Sequence, residues 1–368
     1  MSTTTTSSHT PFAITERTQR ASADEIATVL ENPGFGTNFS EHMVLMDWDR
    51  EQGWHDARVV PYGPIPLDPS AAVFHYGQEI FEGMKAYRHE DGTVWTFRPE
   101  RNAERFNNSA RRLALPELPP VIFLDAIKEL VTIDQAWVPE AGSGETSLYL
   151  RPFMIATEEA LGVRPTNRAL FVVIASPAGA YFKGGLTPIS LWVSELYVRA
   201  SPGGTGAAKC GGNYAASLAS QAEGIEHGCD QVVFLDAIEH KFVEELGGMN
   251  MFFVYGDGRL VTPELTGTIL PGVTRSSLVE LARERGMIVE ERQFTIDEWR
   301  EGVASGLITE VFACGTAAVI SPVGRLAWNG GEVAMPDSHE VTMSLREELL
   351  DIQYGRGEDA HGWLYQLV

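Results

Sequence analysis

Residues 201–214 read Ser-Pro-Gly-Gly-Thr-Gly-Ala-Ala-Lys-Cys-Gly-Gly-Asn-Tyr, the most unusual local sequence in the chain. Six of these fourteen positions hold glycine or proline, so the backbone can bend sharply and come close to a ligand. A Walker-type phosphate loop needs Gly-Lys-Ser/Thr, whereas Lys209 follows Ala208 and precedes Cys210. A dinucleotide fingerprint needs a third glycine where Lys209 stands. Both nucleotide-binding interpretations are therefore excluded, and on its own the loop could equally be an exposed connection without a chemical role.

The segments on both sides of this loop predict an α+β protein of two domains. Strands are predicted at 39–48, 53–61, 94–97, 148–155, 169–175, 189–193, 231–235, 251–254 and 310–313. Helices are predicted at 101–115, 124–138, 214–227, 275–285 and 296–305. The expected organisation is a flexible tail (1–20), a small α+β domain (21–178), an interdomain linker (179–189) and a large domain (190–368).

The composition excludes several classes of protein. The 368 residues are 44% hydrophobic and 21% charged, which is typical of a globular protein with an ample core. A net charge of -22 argues against nucleic acid or an anionic membrane as the main partner. Three scattered cysteines, Cys210, Cys229 and Cys314, predict neither a disulfide framework nor a metal site. The start of the chain lacks the features of a secretory signal and no long apolar run occurs, so we expect a cytoplasmic protein.

The segment Lys209-Cys-Gly-Gly-Asn-Tyr214 resembles the active-site segment of the branched-chain amino acid aminotransferases. These are class IV, pyridoxal-phosphate-dependent enzymes with the D-amino-acid-aminotransferase-like fold (fold type IV). The resemblance recurs in family order along almost the whole chain, at 35–43, 75–76, 81–87, 147–152, 179–182, 244–250, 270–275, 312–317 and 351–355. It implies a branched-chain-amino-acid transaminase that transfers the amino group of Leu, Ile or Val to 2-oxoglutarate, reversibly and by a ping-pong mechanism.

The resemblance also implies which residues bind pyridoxal phosphate. Lys209 would hold the cofactor as a Schiff base and move a proton, which requires a partly desolvated amine. Glu245 would keep a proton on the pyridine nitrogen, whereas its neighbour Glu244 is expected to be a solvated charge at a strand end. Tyr214 would hydrogen-bond the phenolic oxygen. The phosphate would be bound by a guanidinium, by backbone N–H groups at a helix start and by a hydroxyl, which the resemblance places at Arg105, Val273, Thr274 and Thr316.

By the same resemblance, one pocket must accept both branched apolar side chains and glutamate. Phenolic hydroxyls and an arginine at the edge of an aromatic wall could bind the second carboxylate of glutamate. The residues implied for this pocket are Phe35, Tyr76, Phe81, Tyr149, Arg151 and Tyr181. The substrate's α-carboxylate would bind the turn at Thr316 and Ala317. Gly248 stands where animal members of the family have a threonine near the substrate.

The family is typically homodimeric with a partner loop over each site, and residues 159–163 resemble that loop, so we expect a homodimer. Two other enzymes with this fold, D-amino acid aminotransferase and aminodeoxychorismate lyase, would share Lys209 and the carboxylate. The long first domain and the segments 81–85 and 149–151 favour the branched-chain family. A non-catalytic binding protein with the same fold would have lost Lys209, Tyr214 or Glu245, and all three are present.

Overall fold

The computed structural model describes residues 11–179 and 187–368. In chain order, the strands are β1 (Ala13–Ile14), β2 (His42–Asp49), β3 (Gly53–Pro61), β4 (Glu79–Phe81), β5 (Met84–Arg88), β6 (Val94–Phe97), β7 (Ser147–Ala156), β8 (Arg168–Ala178), β9 (Ile189–Ser194), β10 (Gln231–Leu235), β11 (Val243–Leu246), β12 (Asn250–Tyr255), β13 (Arg259–Thr262), β14 (Ile288–Glu291), β15 (Ile308–Gly315), β16 (Val319–Trp328), β17 (Gly331–Ala334) and β18 (Leu364–Gln366). The helices are α1 (Ala23–Glu31), α2 (Ala72–Tyr76), α3 (Pro99–Arg112), α4 (Pro120–Ile133), α5 (Gly211–Glu226), α6 (Val273–Glu284), α7 (Ile296–Ala304) and α8 (Glu340–Gln353), with a 3₁₀ helix at Gln135–Trp137. Helices together with mixed sheets confirm the predicted α+β fold.

The described residues form two compact units, 11–179 with 359–368 and 187–358. The sheet of the first unit has the strand order β1-β3-β2-β8-β7-β5-β6-β18, and β4 pairs with β7. Helices α3 and α4 pack on it through aromatic rings: Phe106 lies 5.5 Å from Phe123 and 5.6 Å from Phe171 between ring centroids. These rings are fully buried, so they form the centre of this unit's core.

Helix α4 differs from its predicted range of 124–138. It begins at Pro120, because the fixed φ of proline suits the first helical position. It ends at Ile133, where the carboxylate of Asp134 accepts the backbone N–H of His42 at 2.8 Å and lies 2.6 Å from its Nδ1. This buried tertiary contact, which the helical pattern does not reveal, coincides with the helix end.

The sheet of the second unit has the strand order β11-β10-β9-β16-β15-β12-β13-β14, and β17 pairs with β16. Helix α5 packs on β9 and β10, and α7 packs on β15. In the core, the ring of Phe253 stacks on Phe294 at 3.8 Å and meets Trp299 edge-on at 4.9 Å. This packing stabilises the sheet on which α5 lies. The same sheet contains β11, the strand that carries Glu245.

The described structure differs from the expected organisation at three boundaries. Ala13 and Ile14, which fall in the expected tail (1–20), pair with Arg58 and Val59 of β3 and so belong to the sheet of the first unit. Strand β18 pairs with β6, so residues 359–368 belong to the first unit and not to the large domain (190–368). The expected linker (179–189) overlaps β9, which begins at Ile189.

Among the helices of the described residues, none is both long and apolar enough to cross a membrane.

Candidate active site

The glycine-rich loop leads directly into α5, and its lysine faces a phenol. The Nζ of Lys209 donates a hydrogen bond to the hydroxyl of Tyr214 at 2.8 Å. The buried amide of Asn213 donates to the carbonyls of Thr205 and Ala208, both at 2.8 Å. Lys209 is half-buried. The side-chain amide of Asn213 therefore ties the loop to the start of α5. In this loop Lys209 presents a partly desolvated amine.

Glu245 on β11 is a carboxylate almost without solvent contact, with only 2% of the residue exposed. Its Oε1 lies 2.8 Å from Nη1 of Arg199 and accepts the N–H of Leu270 at 2.8 Å. Its Oε2 accepts the amide of Asn250 at 3.3 Å. Burial raises the pKa of Glu245 to about 7, against the opposing effects of Arg199, the Leu270 hydrogen bond and Lys209. This group can therefore hold either a proton or a negative charge near neutral pH.

The expectation that Glu244 is a solvated charge is wrong. Glu244 is only 5% exposed, the hydroxyl of Thr268 donates to its Oε1, and its buried Oε2 has no hydrogen-bond partner among the described residues. Desolvation raises the pKa of this carboxyl as well. The reason is an irregularity between β10 and β11: Val233 pairs with Leu246 and Leu235 with Val243. Two residues of β11 thus stand opposite one residue of β10, and such a bulge redirects side chains.

The N-terminus of α6 lies next to this carboxylate. Asn250 connects the two, because its amide donates both to Glu245 and to the carbonyl of Leu270, the latter at 3.0 Å. Val273 and Thr274 are the first two residues of α6 and are buried. The first N–H groups of a helix have no partner within the helix and attract anions. The arrangement can therefore bind an anionic group beside a titratable carboxyl.

The turn after β15 completes this part of the site. Gly315, which ends β15, packs against Gly248: a methyl group added at Gly315 would lie 3.3 Å from the carbonyl oxygen of Gly248. Thr316 and Ala317 follow in the turn. A cavity of about 220 Å³ lies here, lined by Tyr214, Gln221, Gln231, Gly247, Gly248, Met249, Gly315, Ala317 and Ala318. The second unit thus gathers Tyr214, Gly248 and Ala317 around one cavity.

In the first unit, four of the residues expected in the substrate pocket form one cluster. The rings of Phe35 and Tyr149 lie 5.0 Å apart. The guanidinium of Arg151 lies 4.7 Å from the centroid of Phe81, and its Nη2 donates to the Tyr149 hydroxyl at 3.1 Å. The cluster combines apolar ring faces with a cation and a phenol.

The other predicted residues have different surroundings. Tyr76 is 39% exposed, and its hydroxyl donates to the carbonyl of Leu161. Tyr181 lies outside the described residues. Arg105 is buried and forms two parallel hydrogen bonds with the fully buried Glu82, at 2.7 Å and 2.8 Å. A paired guanidinium of this kind is rigidly oriented.

Two residues of this site were not identified from the sequence. Asn250 ends the segment 244–250 that resembles the family, so a signal for it existed. Arg199 precedes the glycine-rich loop in a segment without a recognisable motif, and only its burial at 4% exposure and its contact with Glu245 reveal it.

The chain is similar to known aminotransferases over nearly its whole length. The family model for amino-transferase class IV matches residues 79–326, more than half of the chain. A branched-chain-amino-acid aminotransferase of Mycolicibacterium smegmatis is 58% identical over 361 residues, which are 97% of this chain and 98% of the relative.

Solved structures agree with this similarity. The Escherichia coli branched-chain amino acid aminotransferase has a TM-score of 0.74 at 28% identity, over 89% of this chain and 100% of the other. The branched-chain aminotransferase of the thermophilic archaeon Thermoproteus uzoniensis, solved with norvaline, has a TM-score of 0.75 at 25% identity, over 89% of this chain and 100% of the other. The expected family is thereby confirmed: the chain belongs to the class IV aminotransferases.

Proposed function

We propose that this protein is a branched-chain-amino-acid aminotransferase that uses pyridoxal 5'-phosphate and transfers the amino group of Leu, Ile or Val to 2-oxoglutarate. The observation that carries the proposal is the hydrogen bond between Lys209 Nζ and the Tyr214 hydroxyl, in a unit that also holds the buried carboxylate of Glu245. The 58% identity to a branched-chain enzyme over nearly the whole chain supports the choice of substrate.

The donor set fits the proposed cofactor group by group. Its aldehyde requires a primary amine, which Lys209 offers, and its phenolic oxygen requires a donor, which Tyr214 offers. Its ring nitrogen requires a desolvated carboxylate, which Glu245 offers. Its phosphate requires cationic or N–H donors, and we assign these to Val273 and Thr274 at the start of α6 and also to Thr316 and Arg105.

When bound, pyridoxal phosphate supplies an aldehyde that takes up the substrate's amino group and a ring that draws electrons from the substrate's Cα. With the cofactor bound, Lys209 would act as the base, with Nζ accepting the proton from the substrate's Cα. Tyr214 orients Nζ through the 2.8 Å hydrogen bond. In its ionised form, Glu245 would stabilise a proton on the ring nitrogen of the bound cofactor.

The side chain of the substrate is assigned to the cluster of Phe35, Phe81, Tyr149 and Arg151. Ring faces favour the branched side chains of Leu, Ile and Val. Arg151 is half-buried and borders these rings, so it is suited to the second carboxylate of glutamate. Tyr76 and Tyr181 are assigned to the same pocket. The α-carboxylate is assigned to Thr316 and Ala317, beside Gly248.

The test is a half-reaction without an acceptor. Purified protein loaded with cofactor is mixed with L-leucine, L-glutamate or D-alanine at equal concentration, and the cofactor's absorption is followed. We expect L-leucine and L-glutamate to convert the cofactor to its amine form. Conversion by D-alanine alone would contradict the proposal in favour of a D-amino acid aminotransferase. Cleavage of aminodeoxychorismate to 4-aminobenzoate and pyruvate, which needs no 2-oxo acid as amino-group acceptor, would contradict the proposal in favour of a lyase.

We expect replacement of Gly272 by alanine to weaken cofactor binding. A Cβ at this position would lie 2.1 Å from Oδ1 of Asn250 and 3.2 Å from Cβ of Arg275. Asn250 would have to move, and its amide holds Glu245 and Leu270. We expect a loss of about 1–3 kcal/mol in the free energy of unfolding and a roughly tenfold higher dissociation constant for the cofactor, since about 1.4 kcal/mol of binding energy corresponds to a factor of ten.

The control for Gly272→Ala is Gly63→Ala, because a Cβ at Gly63 meets no atom within 4 Å. For both variants, urea unfolding of the apoprotein measures the free energy of unfolding, and titration with the cofactor measures its dissociation constant. Equal values for the two variants would show that the close contact at Gly272 has no role in binding.

We also propose a cytoplasmic homodimer, in which Glu159–Val163 corresponds to the loop that covers the partner's site. Sedimentation of the purified protein tests the oligomeric state.

A further inference from the structure

Arg199 is a buried cation close to the candidate active site, and it has no role in the proposed reaction as described above. It lies between β9 and the glycine-rich loop, and only 4% of it is exposed. An arginine cannot lose its proton, so burial at this depth requires a paired anion. The anion is Glu245, whose Oε1 lies 2.8 Å from Nη1 of Arg199.

The same Nη1 also links Glu245 to the loop that carries Lys209. It donates to the carbonyl of Thr268 at 2.9 Å and to the carbonyl of Gly206 at 3.3 Å. Gly206 allows this approach, because a Cβ there would lie 2.2 Å from the Thr268 oxygen. Arg199 therefore joins the segment before α6, the glycine-rich loop and the carboxylate.

Two buried carboxyl groups compete for this one guanidinium. Glu245 accepts hydrogen bonds from Leu270 and Asn250 in addition to its ion pair with Arg199. Glu244 accepts a hydrogen bond from one hydroxyl, and within residues 11–179 and 187–368 its second oxygen has no hydrogen-bond partner. Because donors favour the charged form, we expect Glu245 to ionise at a lower pH than Glu244.

None of three other titratable groups, Lys209, Cys314 and Arg275, stabilises the ionised form of Glu245 as Arg199 does. Lys209 in the glycine-rich loop stabilises the ionised form, but less than Arg199 does. Cys314 on β15 is fully buried, which raises its thiol pKa to about 12, so this neighbour is neutral. Arg275 on α6 is paired with Glu291 at 3.0 Å.

We propose that Arg199 is a positioning residue that orients Glu245 and favours its ionised form, so that Glu245 becomes charged before Glu244 as the pH rises. The proposal rests on the proposed function, in which Glu245 faces the ring nitrogen of the cofactor. Arg199 itself touches neither substrate nor cofactor in this assignment, so its effect must appear in the charge of Glu245 and in how that charge depends on pH.

The test compares wild type, R199M and R199K. In R199M we expect the acid limb of kcat/KM for L-leucine to move upward by about one to three pH units, the effect of removing an opposite charge at this distance. In the apoprotein, the fall in unfolding free energy with rising pH should extend to correspondingly higher pH. R199K should recover part of both shifts, because it restores the charge without the guanidinium geometry.

The decisive control is a background that carries both Glu244→Gln and Glu245→Gln. R199M introduced into E245Q together with E244Q should leave the pH dependence of apoprotein stability where the E244Q/E245Q double variant has it, because neither of the two carboxyl groups that face Arg199 remains to titrate. A shift that persists in that background, or an R199M profile that coincides with wild type, overturns the proposal.

A second variant keeps the proposal testable if R199M does not fold. Glu244→Gln is close in shape and should leave the pH midpoint of kcat/KM within about half a unit, because Glu244 is still neutral at the pH where Glu245 ionises. A downward shift of a full unit or more would mean that Glu244 ionises before Glu245, which contradicts the assignment. Failure of wild type to react with L-leucine would instead contradict the proposed function, while the apoprotein profiles still test the ion pair.

Discussion

Lys209→Ala is expected to abolish transamination between L-leucine and 2-oxoglutarate, with a loss of at least about 10³-fold in kcat. The variant removes the amine that lies 2.8 Å from the Tyr214 hydroxyl, and with it both the covalent attachment of the cofactor and the base that moves the proton. Asn213 should still hold the loop through its contacts with Thr205 and Ala208. We therefore expect unchanged circular dichroism alongside the lost activity.

Borohydride reduction followed by peptide mapping gives a readout independent of turnover. In the wild type we expect a pyridoxyl adduct on the peptide containing Lys209, and in Lys209→Ala none. Lys241→Ala is the matched control, because Lys241 is an exposed lysine of the same unit and its loss should change kcat by no more than about twofold. An adduct on another lysine of the wild type, or full activity of Lys209→Ala, would refute the assignment of Lys209.

Helices and strands whose bounds follow from the hydrophobic periodicity of their own residues were predicted closely. Strand Gln231–Leu235 has its predicted bounds, and α7 at Ile296–Ala304 differs from its predicted range by one residue. Strand β18 was not predicted, because its partner β6 lies far away in the chain. Helix α1 was also missed, although Ser22 and Glu25 form a capping box that the sequence displays.

The candidate site shows the same division. The motif around Lys209 implied that Lys209 and Tyr214 belong to one site, and the two residues are close in space because they lie in one loop and the first turn of the following helix. The burial of Glu244 could not be predicted, because it depends on a bulge in the pairing of β11 with β10. Arg199 could not be predicted either, since its role arises from tertiary contacts with Glu245 and Thr268.

Glu245→Gln is expected to reduce kcat by on the order of 10²- to 10³-fold, the effect of removing one electrostatic contact to charge that develops during the reaction, about 3–4 kcal/mol. The amide keeps the shape of the carboxyl, but it carries no charge to balance a protonated ring nitrogen. Arg199 also loses its anion, since the two groups lie 2.8 Å apart in a site from which water is almost excluded. Glu301→Gln is the matched control, because Glu301 is exposed on α7 and its loss should leave kcat unchanged within about twofold.

The stability of the Glu245→Gln apoprotein makes a separate prediction that needs no substrate. Burial raises the pKa of Glu245 from 4.5 to about 7, so between these values the folded protein holds a proton that the unfolded chain has released. The free energy of unfolding of the wild type must therefore fall as the pH rises through this range and level off above it. The full difference is about 3 kcal/mol, and Glu245→Gln lacks it, since its amide cannot ionise. The measurement is the free energy of unfolding in urea for both proteins at several pH values from 5 to 8. The difference between wild type and variant cancels the groups that titrate in both. A difference that does not change with pH would mean that Glu245 is ionised throughout this range.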